Sequence, residues 1–147
     1  MLSIAYLLRG DRAAALIEAN KTLELAPKLF QGKSMQMLIA ADKDDKAGVA
    51  RWLESFRADA ETNHYAAIRV ALAYARLGDR DNAMKWLKIA QSLGNHGWYF
   101  LVRHPWMQPL QTDPEFQAVV SGMKADLDDV RDDVVGVFEL LCPSAMR

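Results

Sequence analysis

The feature that most constrains this chain is an internal repeat with a period of about 34 residues. The dipeptide Gly10-Asp11 recurs two periods later as Gly78-Asp79, and a second polar pair, Asp44-Asp45, lies at the midpoint. A shift of the sequence by one period also aligns three columns that stay small, apolar or aromatic, without gaps: Tyr6, Ala40 and Tyr74; Ala15, Val49 and Ala83; Ala19, Leu53 and Leu87. Stacked helical hairpins require such columns because each hairpin buries its face on the next. The repeat therefore predicts an all-α chain of hairpins.

These units resemble the tetratricopeptide repeat, in which a helix with Trp, Leu-Gly and Tyr precedes a Gly-Asp-type turn and a helix with Ala, Phe and Ala, closed by Pro. The first and third units carry the matching residues: Tyr6, Gly10, Asp11, Ala15 and Pro27, then Tyr74, Gly78, Asp79, Ala83 and Ala90. The second unit departs from the pattern, with Lys33 where Trp is usual, Met37 where Gly is usual and Asp44 in place of the turn Gly.

The resemblance covers residues 1–95 and implies an α-α superhelix of about three hairpins, with units at about 1–29, 30–63 and 64–97. The expected helices span about 2–9, 12–25, 30–41, 46–60, 64–77 and 80–93. Met1 falls at the sixth position of a unit, so we expect either the C-terminal part of a longer protein or a complete small protein with a short first helix.

The sequence of residues 96–114 predicts an irregular connector rich in aromatic residues. Gly94-Asn95-His96-Gly97 ends the last repeat helix, and Pro105 and Pro109 forbid an ordinary long helix. A short helix is expected at about 97–103. Four aromatic residues of this stretch either frame a pocket for a small ligand or are buried by packing, and burial is the commoner outcome. They are Trp98, Tyr99, Phe100 and Trp106.

A long helix is predicted at about 115–140, within a C-terminal segment 115–141 that is followed by a tail, 142–147. Thr112-Asp113-Pro114-Glu115 is a typical helix start. Apolar residues then recur at alternating steps of four and three: Phe116, Val120, Met123, Leu127, Val130, Val134, Val137 and Leu141. This face either caps the last hairpin, the preferred alternative, or pairs with a second copy to form a homodimer. The β-branched run 134–137 is alternatively an extended tail.

The segment after the last repeat carries a second, shorter resemblance. The residues His104-Pro105, Leu110 and Asp113-Pro114-Glu115-Phe116 are similar to the C-terminal ends of bacterial signalling proteins that carry tetratricopeptide repeats behind a winged-helix or nucleotide-cyclase domain. This similarity covers about residues 66–131. It implies that the segment closes the hydrophobic end of the repeats, and that the chain belongs to a larger bacterial regulatory protein.

The composition offers no set of residues that converges on a catalytic or metal site. Cys142 is the one cysteine, which excludes an internal disulfide framework and a Cys-rich zinc site. His64, His96 and His104 show no i,i+4 pair, so structural or surface roles are expected for them. The acidic residues of the C-terminal helix flank its apolar stripe and indicate a solvated face: Asp126, Asp128, Asp129, Asp132 and Asp133. With no phosphate loop, dinucleotide fingerprint or nucleophile elbow, the sequence predicts a non-enzymatic protein without metal or cofactor.

Charge and hydropathy narrow the class of partner. The net charge is −1, and no apolar run is long enough to span a bilayer; we therefore expect no nucleic-acid partner and no membrane span. A chain with one cysteine is typical of a cytoplasmic location, which we expect, and a periplasmic domain without disulfides is the alternative. Residues 64–106 are locally basic, whereas the C-terminal helix is acidic. The basic residues of this segment either attract an acidic partner, or attract the acidic helix, or belong, like that helix, to an ordinary solvated surface. They are Arg69, Arg76, Arg80, Lys85, Lys88 and Arg103.

The tetratricopeptide resemblance implies a concave groove lined by the first helix of each unit, which holds a peptide or helix of a partner protein. The candidate groove residues of the second unit are Gln31, Ser34, Met35, Leu38 and Asp42, and those of the third unit are Tyr65, Ile68, Arg69, Leu72 and Arg76. Some of the apolar candidates are alternatively core residues. Members that bind chaperone tails carry Lys, Asn and Arg at set positions, and only Arg69 matches, so that subtype is not expected. A protein-interaction module is the favoured function, and homodimerisation is the alternative.

Overall fold

A computed structural model describes residues 2–126 of the chain, and these residues are almost entirely helical, with no strand among them. The helices are, in chain order, α1 (Leu2–Leu8), α2 (Arg12–Leu25), α3 (Phe30–Asp42), α4 (Lys46–Glu54), α5 (Arg57–Thr62), α6 (His64–Arg76), α7 (Arg80–Ser92), α8 (Trp98–Leu101), the 3₁₀ helix Pro105–Leu110, and α9, which runs from residue 114 to the last described residue, 126. The prediction of an all-α fold is confirmed for this part of the chain.

The same turn joins α1 to α2, α3 to α4 and α6 to α7. Its first residue has a positive φ of 80° at Gly10, 57° at Asp44 and 72° at Gly78. The next residue is always Asp, and its main-chain N–H donates to the carbonyl five residues earlier at 2.9 Å in all three turns. The Asp carboxylate then accepts from the N–H three residues further on, at 2.8–3.1 Å, and caps the second helix. The repeat of the sequence is thus a repeat of one turn geometry.

The first helices of the three hairpins pack against one another in chain order. Helix α3 contacts α1, α2, α4 and α6, and α6 contacts α3, α5, α7 and the 3₁₀ helix. Two of the repeat columns face inward throughout, with exposed fractions of 3% or less: Ala15, Val49, Ala83, Ala19, Leu53 and Leu87. Because alanine occupies half of these sites, the second helix of each hairpin can approach its neighbours closely there.

The predicted helix at 46–60 is wrong as a single element. Helix α4 ends at Glu54 and α5 begins at Arg57. At the break, the Ser55 hydroxyl donates to the Trp52 carbonyl at 2.6 Å, which competes with continued helix bonding. The Lys33 ammonium donates to the Ser55 carbonyl at 3.0 Å. The bend turns Phe56 into the core, where it is 2% exposed. The predicted helix at 97–103 likewise contracts to the single turn of α8.

Helix α9 closes the end of the helical stack. It starts where the Asp-Pro signal predicts, and the Asp113 carboxylate accepts from the Glu115 N–H at 2.8 Å. Phe116, Val119 and Met123 lie in the same core as the repeats, with exposed fractions of 1, 5 and 0%, and Val120 packs against that core. The described part of the predicted heptad face therefore packs inside the monomer. Leu127, Val130 and Val134, with Val137, Leu141, Cys142 and the tail, lie outside the described residues.

The equivalence of the turns predicts opposite effects for two reciprocal substitutions. Gly78→Asp forces a side chain into a left-handed conformation and should lower the free energy of unfolding by about 1 kcal/mol, although a Cβ at Gly78 meets no atom within 4 Å. Asp44→Gly relieves the same strain and should raise that free energy by less than about 1 kcal/mol. Urea unfolding of the two variants measures both effects. A loss of stability in Asp44→Gly would contradict the equivalence.

The buried face of α9 predicts a large stability effect for a residue near its start. Phe116→Ala should lower the free energy of unfolding by about 3–5 kcal/mol, because the phenyl ring is fully enclosed by the repeat core. Ser121, which is exposed on the same helix, supplies the control, since Ser121→Ala should change stability by less than about 0.5 kcal/mol. Both values come from thermal or urea unfolding followed by circular dichroism. Equal effects at the two positions would mean that α9 does not cap the repeats.

Candidate functional site

Half of the predicted groove residues are buried in the core. Their exposed fractions lie between 0 and 7%: Ser34, Met35, Leu38, Ile68 and Leu72. These side chains pack between α3, α6 and the helices behind them, so they support the face and do not present a surface. The sequence left this outcome open for the apolar candidates. The sequence did not predict burial of Ser34, whose hydroxyl is satisfied by donating to the Gln31 carbonyl at 3.0 Å.

The other five candidates form two clusters on the face that α3 and α6 share. One cluster lies in the first two turns of these helices and contains Gln31, Tyr65 and Arg69. Tyr65 is 66% exposed, and Arg69 follows it by one helical turn. The second cluster contains Asp42 and Arg76 and lies at the C-terminal ends of α3 and α6.

Arg69 is held in the first cluster by neutral groups. One guanidinium nitrogen, Nη1, donates to the Gln31 carbonyl at 3.2 Å and to the Ser34 hydroxyl at 2.7 Å. The guanidinium carbon lies 5.7 Å from the centre of the Phe30 ring, which is the geometry of a cation–π contact. Burial lowers the pKa of Arg69 from its ordinary value, yet a guanidinium keeps its charge at pH 7. A half-buried positive charge therefore faces the surface with no acidic partner among the described residues.

Asp42 joins three units of the fold in the second cluster. Its carboxylate, which is 10% exposed, accepts from Arg12 at the start of α2 and from Arg76 at the end of α6. The Arg76 guanidinium also lies 5.7 Å from the centre of the Trp106 ring, in the 3₁₀ helix. The charge of Arg76 is thus balanced by Asp42, so Arg76 is a weaker candidate than Arg69 for binding an acidic partner.

The basic and acidic regions of the sequence meet at the start of α9. Arg80 donates to Asp113 and to Glu115, and Lys88 pairs with Glu115 at 2.6 Å. The hydrogen bond from Arg80 lowers the pKa of Asp113, and those from Lys88 and Arg80 lower the pKa of Glu115. Attraction between the two regions, one of the alternatives read from the sequence, is therefore present at these residues. Lys85 and Arg103 of the same basic set are exposed.

The aromatic connector is organised around a buried histidine. His104 is 4% exposed and lies between the rings of Phe100 and Trp106, with ring centres 5.0 and 5.7 Å away. Its Nδ1 accepts from the Trp106 N–H at 3.2 Å and so caps the 3₁₀ helix. Burial lowers the pKa of His104 to about 4, so the imidazole is neutral at pH 7. Of the other two aromatic residues, Trp98 lies beneath the Lys124 ammonium and Tyr99 is 57% exposed.

Sequence reasoning missed the partners that fix these charged groups. Asp42 and Arg76 are 34 positions apart, one full repeat, and Arg80 and Asp113 are 33 positions apart. This spacing is the signal that could have found them, because residues one repeat apart occupy equivalent places on neighbouring hairpins.

Within residues 2–126, no three His, Cys, Asp or Glu side chains converge to hold a metal ion. The helices in this part of the chain also lack the combined length and apolar character needed to cross a bilayer. No family model matches the chain, and no match is found among curated proteins or solved structures. The candidate site therefore rests on its own geometry, and its most distinctive member is Arg69.

The buried, neutral His104 predicts a pH dependence of stability. Its pKa is about 4 in the folded state and 6.5 ordinarily, so the unfolded chain binds more protons between these values. Stability should fall as the pH decreases from about 6.5 towards 4, with a slope of at most about 1.4 kcal/mol per pH unit. His104→Asn keeps an acceptor for the Trp106 N–H but cannot titrate. Urea unfolding at several pH values should show the difference in stability between wild type and variant shrinking on acidification, and a constant difference would contradict this.

Proposed function

We propose that this chain is a non-enzymatic protein-interaction module of the tetratricopeptide type, part of a larger cytoplasmic regulatory protein of bacteria. Its binding surface is the face on which the first helices of successive hairpins, α1, α3 and α6, lie side by side. The ligand is a peptide segment or a helix of a partner protein, because a row of parallel helices presents a long groove rather than an enclosed pocket.

One observation carries this proposal: the same turn, with the same positive φ and the same Asp cap, recurs once in every unit of the sequence repeat. A repeated turn gives repeated hairpins, and the contacts of α3 with both α1 and α6 bring their first helices together. On that row, α6 carries the exposed Tyr65 and the half-buried Arg69 on a rigid support. Aromatic and arginine side chains of this kind contribute most to protein interfaces.

Homodimerisation through the C-terminal helix is the less favoured function. The apolar residues with which the heptad face begins, Phe116 and Met123, are enclosed in the core of the monomer. A helix cannot use the same side chains for capping and for pairing with a second copy. The described part of α9 therefore supports its role as the cap.

Selection of peptides from a random library displayed on phage tests the proposal. Peptides that bind the wild-type protein should lose at least about tenfold in affinity for Tyr65→Ala, which removes the largest exposed side chain of the α3–α6 face. Ile17→Ala is the matched control, because Ile17 on α2 is 65% exposed but lies on the second helix of its hairpin. Affinities are measured by fluorescence anisotropy with the synthetic peptides.

The outcomes separate this face from the rest of the surface. Weaker binding to Tyr65→Ala with unchanged binding to Ile17→Ala supports the proposal. It is overturned if no peptide is enriched, or if the selected peptides respond to Ile17→Ala and not to Tyr65→Ala.

A further inference from the structure

An open groove runs along α7, the second helix of the third hairpin, and not along the first helices that form the α3–α6 face. Its lining residues on α7 recur at steps of three and four, from Asp81 through Met84 and Lys85 to Lys88, which places them along one side of the helix. Glu115, in the first turn of α9, borders the groove. Its volume of about 490 Å³ is enough for several side chains, since sites for small ligands span about 300–1,000 Å³.

The groove combines an apolar floor with a basic rim. Met84 is 2% exposed and belongs to the core, and Ile89 packs against that core, so the floor is apolar. The stems of Lys85 and Lys88 add methylene groups to the sides, while both lysines are exposed and keep their ammonium groups in water. A ligand that complements this groove therefore carries apolar side chains with acidic groups next to them.

The basic rim keeps one positive charge that the described part of the chain does not balance. Arg80 and Lys88 both pair with Glu115, at 2.7 and 2.6 Å. Lys85 lies between them in the sequence of α7 and lines the same groove, and it forms no ion pair with any residue of 2–126. The unbalanced charge indicates an acidic occupant.

The chain itself carries a segment of matching chemistry directly after the described residues. Residues 127–147 contain five acidic and two basic side chains, and eight of the residues 127–141 are apolar. The apolar residues are Leu127, Val130, Val134, Val135, Val137, Phe138, Leu140 and Leu141. Four of the acidic residues are Asp128, Asp129, Asp132 and Asp133. This segment thus combines the two kinds of side chain that the groove complements.

The point of attachment brings the segment within reach of the groove. Residue 126 and Glu115 lie eleven residues apart on α9, which is about 16 Å along the helix axis. A segment of 21 residues spans up to about 70 Å when extended, so its length is ample for a return to the groove. Because the segment is tethered, its effective concentration at the groove is about millimolar, well above that of a second copy in dilute solution.

We propose that residues 127–141 turn back after α9 and bind in the α7 groove of their own chain, with their apolar side chains on Met84 and Ile89 and their Asp residues facing Lys85. Burial of apolar surface stabilises this contact and the charges orient it, since exposed ion pairs contribute little. The inference goes beyond the proposed function and does not rest on it, because the groove lies outside the α3–α6 face.

Cys142, the one cysteine of the chain, allows a direct test in the wild-type protein. A nitroxide spin label on its thiol broadens the NMR signals of nearby amides in the ¹⁵N-labelled chain. The amide signals of Met84, Lys85 and Lys88 should lose most of their intensity relative to the same sample with the nitroxide reduced, whereas those of α2 should keep theirs. If α9 instead continued as one straight helix, Cys142 would lie about 40 Å from Glu115, and the α7 signals would keep their intensity.

Lys85→Glu tests the match of charge between the groove and the segment. The reversed charge repels the Asp residues of the segment, so the spin label should no longer weaken the signals of Met84 and Lys88. Lys21→Glu is the matched control, because Lys21 is exposed on α2 and its substitution changes the net charge equally, away from the groove. Both variants should keep the wild-type circular dichroism, since both side chains are exposed. Equal loss of the α7 signals in the two variants would overturn the assignment of an acidic occupant.

A mixed sample separates the chain's own segment from that of a second copy. One chain is ¹⁵N-labelled and carries Cys142→Ser, and the other contains no ¹⁵N and carries the nitroxide. Loss of the α7 signals only when label and ¹⁵N are on the same chain supports the proposal. Loss in the mixed sample means that a second copy fills the groove and overturns it. The proposal is also overturned if the α7 signals keep their intensity in every sample, or if those of Tyr65 and Arg69 are lost instead.

Discussion

The fold depends on a short turn that combines a left-handed residue with an Asp cap. The left-handed residue ends the first helix of each hairpin, and the Asp that follows satisfies an N–H group at the start of the second. Each turn fixes the angle between its two helices, so three turns of one geometry generate three hairpins that can stack. The second unit shows which part of the turn is essential. It lacks the turn glycine, yet Asp44 takes the same conformation, at φ 57°, because Asp tolerates that region better than most side chains.

Stacking creates a requirement at the end of the row, since the last hairpin has no successor to cover its apolar face. In this chain the segment after the repeats meets that requirement with two devices. The apolar side chains of α9, above all Phe116 and Met123, enter the repeat core. The ion pairs of Arg80 and Lys88 with Asp113 and Glu115 hold the start of α9 in register. Exposed ion pairs contribute little free energy, so burial stabilises the cap and the charges orient it.

Sequence reasoning was most successful where structure is set locally. Gly10, Gly78 and the Asp residues beside them predict the turns, because positive φ and helix capping depend on a few neighbouring residues. The Asp-Pro pair at 113–114 predicts the start of α9 for the same reason. The break after Glu54 was missed, because it depends on burying Phe56 and on Lys33 from another helix. Half of the residues that the sequence assigns to the groove lie in the core of the structure. A shift of one residue along a helix turns the side chain by about 100°, so a small error in register moves a residue from the surface to the core.

The contrast between Arg69 and the other arginines bears on why such a residue occurs in the fold. Arg12, Arg76 and Arg80 keep about half of each side chain in water and offset the charge of an Asp, so each has a structural reason to be present. Arg69 gives up part of its hydration and receives only neutral acceptors and an aromatic ring in return. Burying a charge without a countercharge is unfavourable for folding, and an apolar side chain at this site would avoid the cost. Groups that are poor for stability but held in a fixed orientation are typical of binding sites, where the ligand supplies what the fold leaves out.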